Sequence, residues 1–378
     1  MAIGCHACLD TPMHYAGTQV FIGLSGGVDS AVAAALLQEQ GAQVTGVFIK
    51  GWYPPGLPCT WTEDRRDAMR VAAHLGIPFL TCDASAEYKQ SVTDYLIREY
   101  RAGRTPNPDV LCNRDVKFGA FYRFALSHGA ALVATGHYAR TEYKENGVQL
   151  LRGVDPEKDQ SYFLWAVSKA VLAKAVFPLG GYLKSDTRAR ARRLGLPVAH
   201  KRDSQGICFL GPVTIEDFLK TEIELAPGRA LGESGEEIGT HSGAVAYTLG
   251  ERVALMGAPP GPWYVVQKRI PENELVVSRA SQRGSLTASE IRLEDVHWLA
   301  TPEDGKTYEA QYRYHGPRIL GGVIANSFIP AKAPTELLAA GQSLVIYEDE
   351  RVIGGGIMSQ NEYERRTQAE LGTDNHQG

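Results

Sequence analysis

The chain has 378 residues, 44% hydrophobic and 22% charged, the make-up of a globular protein long enough for two or three domains. No stretch reaches the roughly 18 uncharged apolar residues of a membrane span, so no membrane partner is expected. The net charge of −4 offers no overall attraction to polyanions, and any nucleic-acid contact has to be local.

Residues 1–17 lack both a basic start and a long apolar core, and contain Asp10 but no arginine. They read as an extension, neither signal nor transit peptide, and a cytoplasmic location is expected. Cys5 and Cys8 have C-x-x-C spacing, but no second close pair completes a four-ligand zinc site, and no metal site is expected. The six cysteines (Cys5, Cys8, Cys59, Cys82, Cys112, Cys208) are scattered, which argues against a disulfide framework.

The apolar run from Gln19 to Leu24 precedes Ser25-Gly26-Gly27-Val28-Asp29-Ser30, and an Ala-rich segment follows from Ala31 to Leu37. The pattern is strand, glycine loop, helix. Adjacent glycines let backbone N–H groups close around phosphate oxygens, and the helix adds its positive dipole end. No G-K-[ST] ending follows, so the loop itself carries no lysine for a β/γ-phosphate. Taken alone, a glycine pair is a tight turn with Ser25 or Asp29 as helix cap; six such residues between strand and helix point to a nucleotide.

Strand patterns follow over 44–50, 78–82 and 131–135, with helix patterns over 62–75, 87–100 and 118–127. Their alternation predicts a parallel α/β sheet, with ligands beyond the carboxyl ends of the strands. The glycine loop and Gly136-His137 both fall at such ends. Between them, Thr105 to Asn113 reads as a proline-stiffened loop rather than a regular element, and presents Asp109 and Cys112. From Lys184 to Arg202 seven Lys/Arg face one acid, Asp186, a net +6 over 19 residues. This is either a phosphate-contacting surface or a solvated helix face. Asp203 to Phe209 then places Cys208 beside a glycine and near Lys201 and Arg202, which favour a thiolate; a buried cysteine between Ile207 and Phe209 is the plainer alternative.

Beyond about residue 212, β-like runs cover 243–249, 263–268, 274–279, 307–314, 319–325, 343–347 and 352–358, with a hairpin turn at 271–273. Two small β domains are expected, with a break near 280–295.

Taken in order, S-G-G-V-D-S, G-R-T-P-N-P-D-V-L-C-N, A-T-G-H-Y, K-D-Q-S-Y-F-L and D-S-Q-G-I-C-F resemble the MnmA family of tRNA-specific 2-thiouridylases, within the N-type ATP pyrophosphatase (PP-loop) superfamily. The resemblance spans roughly residues 18–358, including P-W-Y-V-V, A-A-G-Q-S and G-G-G-I-M. It implies an N-type ATP pyrophosphatase domain over 18–211, a small central β-rich domain over 212–285 and a C-terminal β-barrel over 286–360; the tail over 361–378 is expected to be disordered because it is polar. The implied reaction is ATP-dependent 2-thiolation of the wobble uridine, position 34. ATP adenylates the uracil C2 oxygen, Mg²⁺ offsets the pyrophosphate charge, and a cysteine persulfide supplies sulfur, leaving AMP and pyrophosphate. By resemblance, Cys112 is the nucleophile, Cys208 the persulfide carrier and Asp109 the acid/base. Sulfur release through a Cys112–Cys208 disulfide would join residues separated by 95 others. The ATP positions are Gly23, Leu24, Ser25, Gly26, Gly27, Val28, Asp29, Ser30, Ile49 and Gly136. Asn107, Pro108 and Asp109 match contacts to the target base; His137, Lys158, Asp159, Gln160, Arg313, Tyr314 and Gln342 match tRNA contacts. The implied partners are the Lys, Glu and Gln tRNAs and a cysteine desulfurase or sulfur-relay protein.

The sequence departs from the family at Leu249 to Met256, where the family carries L-G-Q-R-K-G-L-G: Glu251 is an added acid and Val253 a lost base. Three other readings compete. An amide-forming ligase on the same nucleotide domain needs no cysteines, an RNA-binding protein needs no catalysis, and an iron–sulfur cluster would replace persulfide cycling at the same cysteines.

Overall fold

The computed structural model describes residues 15–56, 61–203, 213–279, 289–334 and 336–359. The first domain runs β1 (Gln19–Gly23), α1 (Val28–Glu39), β2 (Gln43–Lys50), α2 (Trp61–Leu75), β3 (Phe79–Asp83), α3 (Ser85–Tyr88), α4 (Asp94–Arg101), α5 (Pro108–Leu111), α6 (Phe121–Ser127) and β4 (Leu132–Ala134). It continues through the hairpin β5 (Ala139–Lys144) and β6 (Gly147–Arg152), then α7 (Lys169–Leu172), β7 (Ala175–Val176) and α8 (Lys184–Arg193).

Five strands make a parallel sheet in the order β3-β2-β1-β4-β7. The chain winds from β1 outward to β3, then returns to the other side of β1 with β4. That reversal leaves a crevice between the carboxyl ends of β1 and β4, the place where open α/β sheets take ligands. The glycine loop follows β1 and Gly136 follows β4, so both stand at the crevice. The loop's helix is fixed by packing: every residue of α1 from Val28 to Leu37 is buried except Asp29. A helix apolar on nearly all sides has to be covered on all sides. Val32, Leu36 and Leu37 pack in the core with Val20, Ile22 and Val44 of the sheet, each such side chain contributing about 1.5–3 kcal/mol.

Residues 105–113 differ from the loop expected. Asn107 is a helix cap whose Oδ1 accepts from Asp109 N at 3.2 Å, and Pro108 occupies the first helical position. Proline suits that position because its missing N–H needs no partner there. From Cys112 to Ala120 the helix continues as a nine-residue π-helix, then runs into α6. A second π-helical turn, Lys89–Thr93, joins α3 to α4.

The second domain has α9 (Ile215–Glu222) and strands β8 (Gly228–Leu231), β9 (Glu237–His241), β10 (Arg252–Val253), β11 (Trp263–Arg269) and β12 (Glu274–Ser278), in sheet order β10-β11-β12-β8-β9. The run expected at 243–249 is not a strand; it forms a short 3₁₀ turn at Ala244–Ala246. Gly243 at φ +143° breaks the extended chain, and Asn273 Oδ1 takes the Ala244 N–H at 2.9 Å. The third domain, β13 (Ile291–Trp298), β14 (Tyr308–Gln311), β15 (Arg318–Ile324), β16 (Ser327–Pro330), β17 (Ser343–Glu348) and β18 (Arg351–Met358), closes on itself. The order β13-β16-β15-β14-β17-β18 is sealed by β13 pairing with β18, giving a six-stranded antiparallel barrel. The β5–β6 hairpin of the first domain adds to its outside through Leu151 and Arg351. The result is a parallel α/β domain, a small β domain and a barrel. No helix among the described residues is long and apolar enough to cross a membrane.

Candidate active site

The glycine loop closes on itself through serine hydroxyls. Ser25 N donates to Ser30 Oγ at 3.2 Å, Gly27 N donates to Ser25 Oγ at 3.3 Å, and Ser30 Oγ donates to Gly27 O at 3.2 Å. Its glycines are held at close quarters. Gly26 has φ +74°, and a Cβ there would stand 2.3 Å from Asp64 O; one at Gly136 would stand 2.8 Å from Ser30 N. The first turn of α2 and the segment after β4 therefore approach the loop without side chains in between, and Ile49 covers Gly23 with its Cδ1 3.4 Å from where a Cβ would be. Such a cradle of backbone N–H groups at a helix N-terminus fits a phosphate chain. Gly26→Ala is expected to weaken ATP binding at least about ten-fold, through left-handed strain and the clash with Asp64. Calorimetric titration with ATP measures this directly.

A lysine does reach the loop, from far along the chain. Lys184, at the start of α8, places Nζ 2.7 Å from both carboxylate oxygens of Asp29 and 2.9 Å from Asp203 Oδ1. Its backbone N–H is fixed by Asp155 Oδ2 at 2.8 Å. Tyr138 OH is a second donor to Asp29, at 2.9 Å. Burial, and then the Asp29 charge, hold that phenol protonated well above its ordinary range. Asp203 is also met by Lys158 at 3.4 Å and by Arg188. Burial opposes its charge, but Lys184 and its neighbours hold its carboxyl below the usual range.

This network revises the basic stretch. Lys184, Arg188, Arg190 and Lys201 are paired with Asp29, Asp203, Glu39, Asp64 and Asp67, so four of its seven cations serve the domain's own carboxylates. Arg192, Arg193 and Arg202 are exposed.

Asp109 is half-buried on α5, and Cys112 is fully buried one turn on, at the start of the π-helix. Residues three apart on a helix are neighbours, so the two side chains share a face. The helix that begins there passes along the crevice beside the end of β1 and His137. The Phe118 and His137 rings lie 6.1 Å apart, and Phe121 Cε1 is 3.8 Å from the Cβ position of Gly23. His137 is 8% exposed, and its Nδ1 lies 2.7 Å from Thr135 Oγ1. Burial, assisted by Lys117, pushes its pKa far down, so the ring is neutral. It is buried between Phe118 and Phe177 rather than on an open surface.

The remaining expected positions gather at the junction of the three domains. Gln342 of the barrel donates to Thr105 O at 2.8 Å, and Thr105 N donates to Ala340 O at 2.8 Å, clamping the approach to α5. Arg313 donates to Leu249 O and Leu337 O, both at 3.1 Å, and so reaches the segment where the sequence departs from the motifs it otherwise resembles. In that segment Val253 is 6% exposed in the small β domain's core, and Glu251 Oε2 accepts from Thr248 N at 2.8 Å. Asp159 Oδ1 accepts from Gly153 N at 2.9 Å and Ser161 N at 3.0 Å, and Gln160 Oε1 accepts from Tyr138 N at 3.0 Å. Tyr314 stands 4.5 Å from the Phe163 ring. Cys208 lies outside the described residues. Sequence reasoning had singled out neither Tyr138 nor Asp155, and had read Lys184 only as part of a basic stretch. The A-T-G-H-Y motif was the one signal for Tyr138.

Three family descriptions match the chain in tandem: "tRNA methyl transferase HUP domain" over residues 18–212, "tRNA methyl transferase PRC-barrel domain" over 216–279 and "Aminomethyltransferase beta-barrel domain" over 288–358. Among curated relatives, "tRNA-specific 2-thiouridylase MnmA" of Geobacillus thermodenitrificans is 41% identical over 354 residues, 91% of this chain and 95% of the relative. The protein of the same name from Enterococcus faecalis is 41% identical over 355 residues, covering 90% and 95%. That of Shouchella clausii is 40% identical over 350 residues, covering 90% and 96%.

Proposed function

The chain belongs to the family of tRNA-specific 2-thiouridylases, and from that premise we propose that it is a tRNA-uridine 2-sulfurtransferase acting on the wobble uridine. The observation that carries the reading is the single helix linking the two halves of the chemistry: Asp109 and Cys112 at its start, and Phe118 and Phe121 further along it against His137 and Gly23 at the crevice. Neither an amide ligase nor a non-catalytic RNA binder requires that arrangement.

The C2 oxygen of uracil is a poor leaving group. Attack of that oxygen on the α-phosphorus of ATP releases pyrophosphate and turns it into part of AMP. The loop N–H groups between Ser25 and Ser30 would receive the pyrophosphate oxygens, with Lys184 beside Asp29 as the nearby cation. The Asp29 carboxylate and the Ser30 hydroxyl are the oxygen donors suited to Mg²⁺, which is held by few protein ligands when phosphates supply the rest. Mg²⁺ bound there supplies charge neutralisation for the departing pyrophosphate. Among the described residues no cluster of three or more His, Cys, Asp or Glu stands ready for a metal without such phosphates.

Sulfur then replaces AMP. The terminal sulfur of a Cys208 persulfide attacks C2, AMP leaves, and the Cys112 thiolate attacks Cys208 Sγ. The resulting disulfide provides the two electrons that leave sulfur on C2, and a thiol reductant resets the pair. Asp109, on the face of Cys112, moves the proton. A cysteine desulfurase or sulfur-relay protein reloads Cys208, and the Lys, Glu and Gln tRNAs are the substrates. Product analysis with α-labelled ATP tests the scheme: one AMP and one pyrophosphate per 2-thiouridine are expected. ADP and phosphate, or a methylated uridine formed from S-adenosylmethionine, would refute it.

A further inference from the structure

We propose that Arg152 is a positioning residue for the thiolation step, holding the segment Asp159 to Phe163 in register with the barrel; this rests on the sulfurtransferase reading above. Arg152 ends β6, and its side chain is 9% exposed between two domains. On the barrel side, its Nη2 donates to Glu309 Oε1 at 2.5 Å and its Nη1 to Gln311 Oε1 at 3.4 Å, both on β14. The guanidinium carbon stands 3.5 Å from the centre of the Tyr347 ring on β17. On the other side, Nη1 lies 3.6 Å from Asp159 Oδ2.

The segment held in this way reaches both halves of the candidate site. Asp159 Oδ1 accepts from Gly153 N and Ser161 N, and its Oδ2 accepts from Ser161 Oγ at 3.0 Å. Ser161 Oγ lies 3.3 Å from Tyr347 OH, which ties the segment to the barrel a second time. Gln160 exchanges two bonds with the Tyr138 backbone, at 2.8 and 3.0 Å, and the Tyr138 hydroxyl holds Asp29 of the glycine loop. Phe163 O accepts from Asn113 Nδ2 at 3.0 Å, one residue beyond Cys112. The side-chain oxygens of Asp159 and Gln160 are therefore engaged inside the protein, as frame rather than as tRNA contacts.

Stability does not explain the choice of arginine. A buried cation loses hydration that its partners roughly offset, and an apolar side chain of similar size often serves a junction as well. What arginine adds is geometry, because a planar guanidinium stacks on Tyr347 and forks between Glu309 and Asp159 at once. Lysine, a point charge, cannot do both. Sulfur transfer has to bring an adenylated uridine and Cys112 together, and a misplacement of about 1 Å costs on the order of 10²-fold in rate. ATP binding needs the loop alone. Loosening Arg152 should thus appear in turnover and not in nucleotide affinity.

The test uses the full-length enzyme, a tRNA transcript with uridine at the wobble position, ATP and a persulfide donor. R152K is expected to lower kcat for 2-thiouridine formation about 10²-fold, while KM for tRNA and Kd for ATP stay within about three-fold. E309Q removes the charge of the barrel anchor at a side chain 28% exposed, so the fold survives, and kcat should fall about ten-fold. The double variant should lie within about two-fold of R152K, since both changes act through one contact. A kcat within about two-fold of wild type in either single variant overturns the proposal. So does a loss that falls on KM for tRNA, or effects that multiply in the double variant. If R152K does not fold, E309Q decides alone on the same criterion. A wild type that makes no 2-thiouridine overturns the functional reading itself.

Discussion

Replacing Cys112 by serine is expected to cut 2-thiouridine formation by at least about 10³-fold while ATP and tRNA binding stay within about two-fold. Cys112 is fully buried, and serine fits its volume, so the helix from Pro108 onward should survive. What is lost is chemical. A serine oxygen cannot take Cys208 into a disulfide, so the two electrons needed to leave sulfur on C2 have no source. Adenylation precedes that step and should still occur, so AMP formation without thiolation is the expected signature. Nucleoside analysis beside AMP release distinguishes this from a general collapse. Wild-type 2-thiouridine formation by the serine variant would show that sulfur release does not pass through Cys112.

Lys184→Met should weaken ATP binding at least about ten-fold and leave AMP binding within about two-fold. The methionine keeps much of the buried stem but removes the cation that faces Asp29 at 2.7 Å and Asp203 at 2.9 Å. A nucleotide is affected by that loss only where it carries phosphates beyond the α-position. The side chains of Asp29 and Asp203 are 33% and 39% exposed, so water recovers part of the lost pairing. The stability cost should be about 2 kcal/mol rather than that of a fully buried charge. Calorimetric titration with ATP and AMP, beside unfolding midpoints, separates the two effects. Equal loss for both nucleotides would reduce Lys184 to a support for Asp29.

The glycine loop was legible because its signal is local. Six consecutive residues between an apolar run and an Ala-rich run can form only a strand–loop–helix turn, and chain order put it at a strand's carboxyl end. Lys184 was not legible as its partner, since 154 residues separate Asp29 from it and only the folded crevice joins them. The segment 105–113 misled for a different reason. Two prolines in three residues suggest extended chain, yet Pro108 in the first helical turn costs nothing once Asn107 caps it. π-helical turns such as Cys112–Ala120 carry no sequence period distinct from an α-helix and could not be anticipated. The β5–β6 hairpin carries a strong short-range turn signal in Asn146-Gly147, but its first strand, Ala139–Lys144, is mostly polar and exposed and shows little apolar alternation. The barrel's closure through β13 and β18 depends on a pairing between its first and last strands, which no local pattern encodes.

The most direct measurement is mass analysis of nucleosides from tRNA incubated with the enzyme, ATP, Mg²⁺ and a persulfide donor. The account predicts 2-thiouridine confined to the wobble position, formed only when ATP is present and lost with Cys112. Unmodified wobble uridine in a preparation that binds both ATP and tRNA, or thiolation that proceeds without ATP, would contradict it.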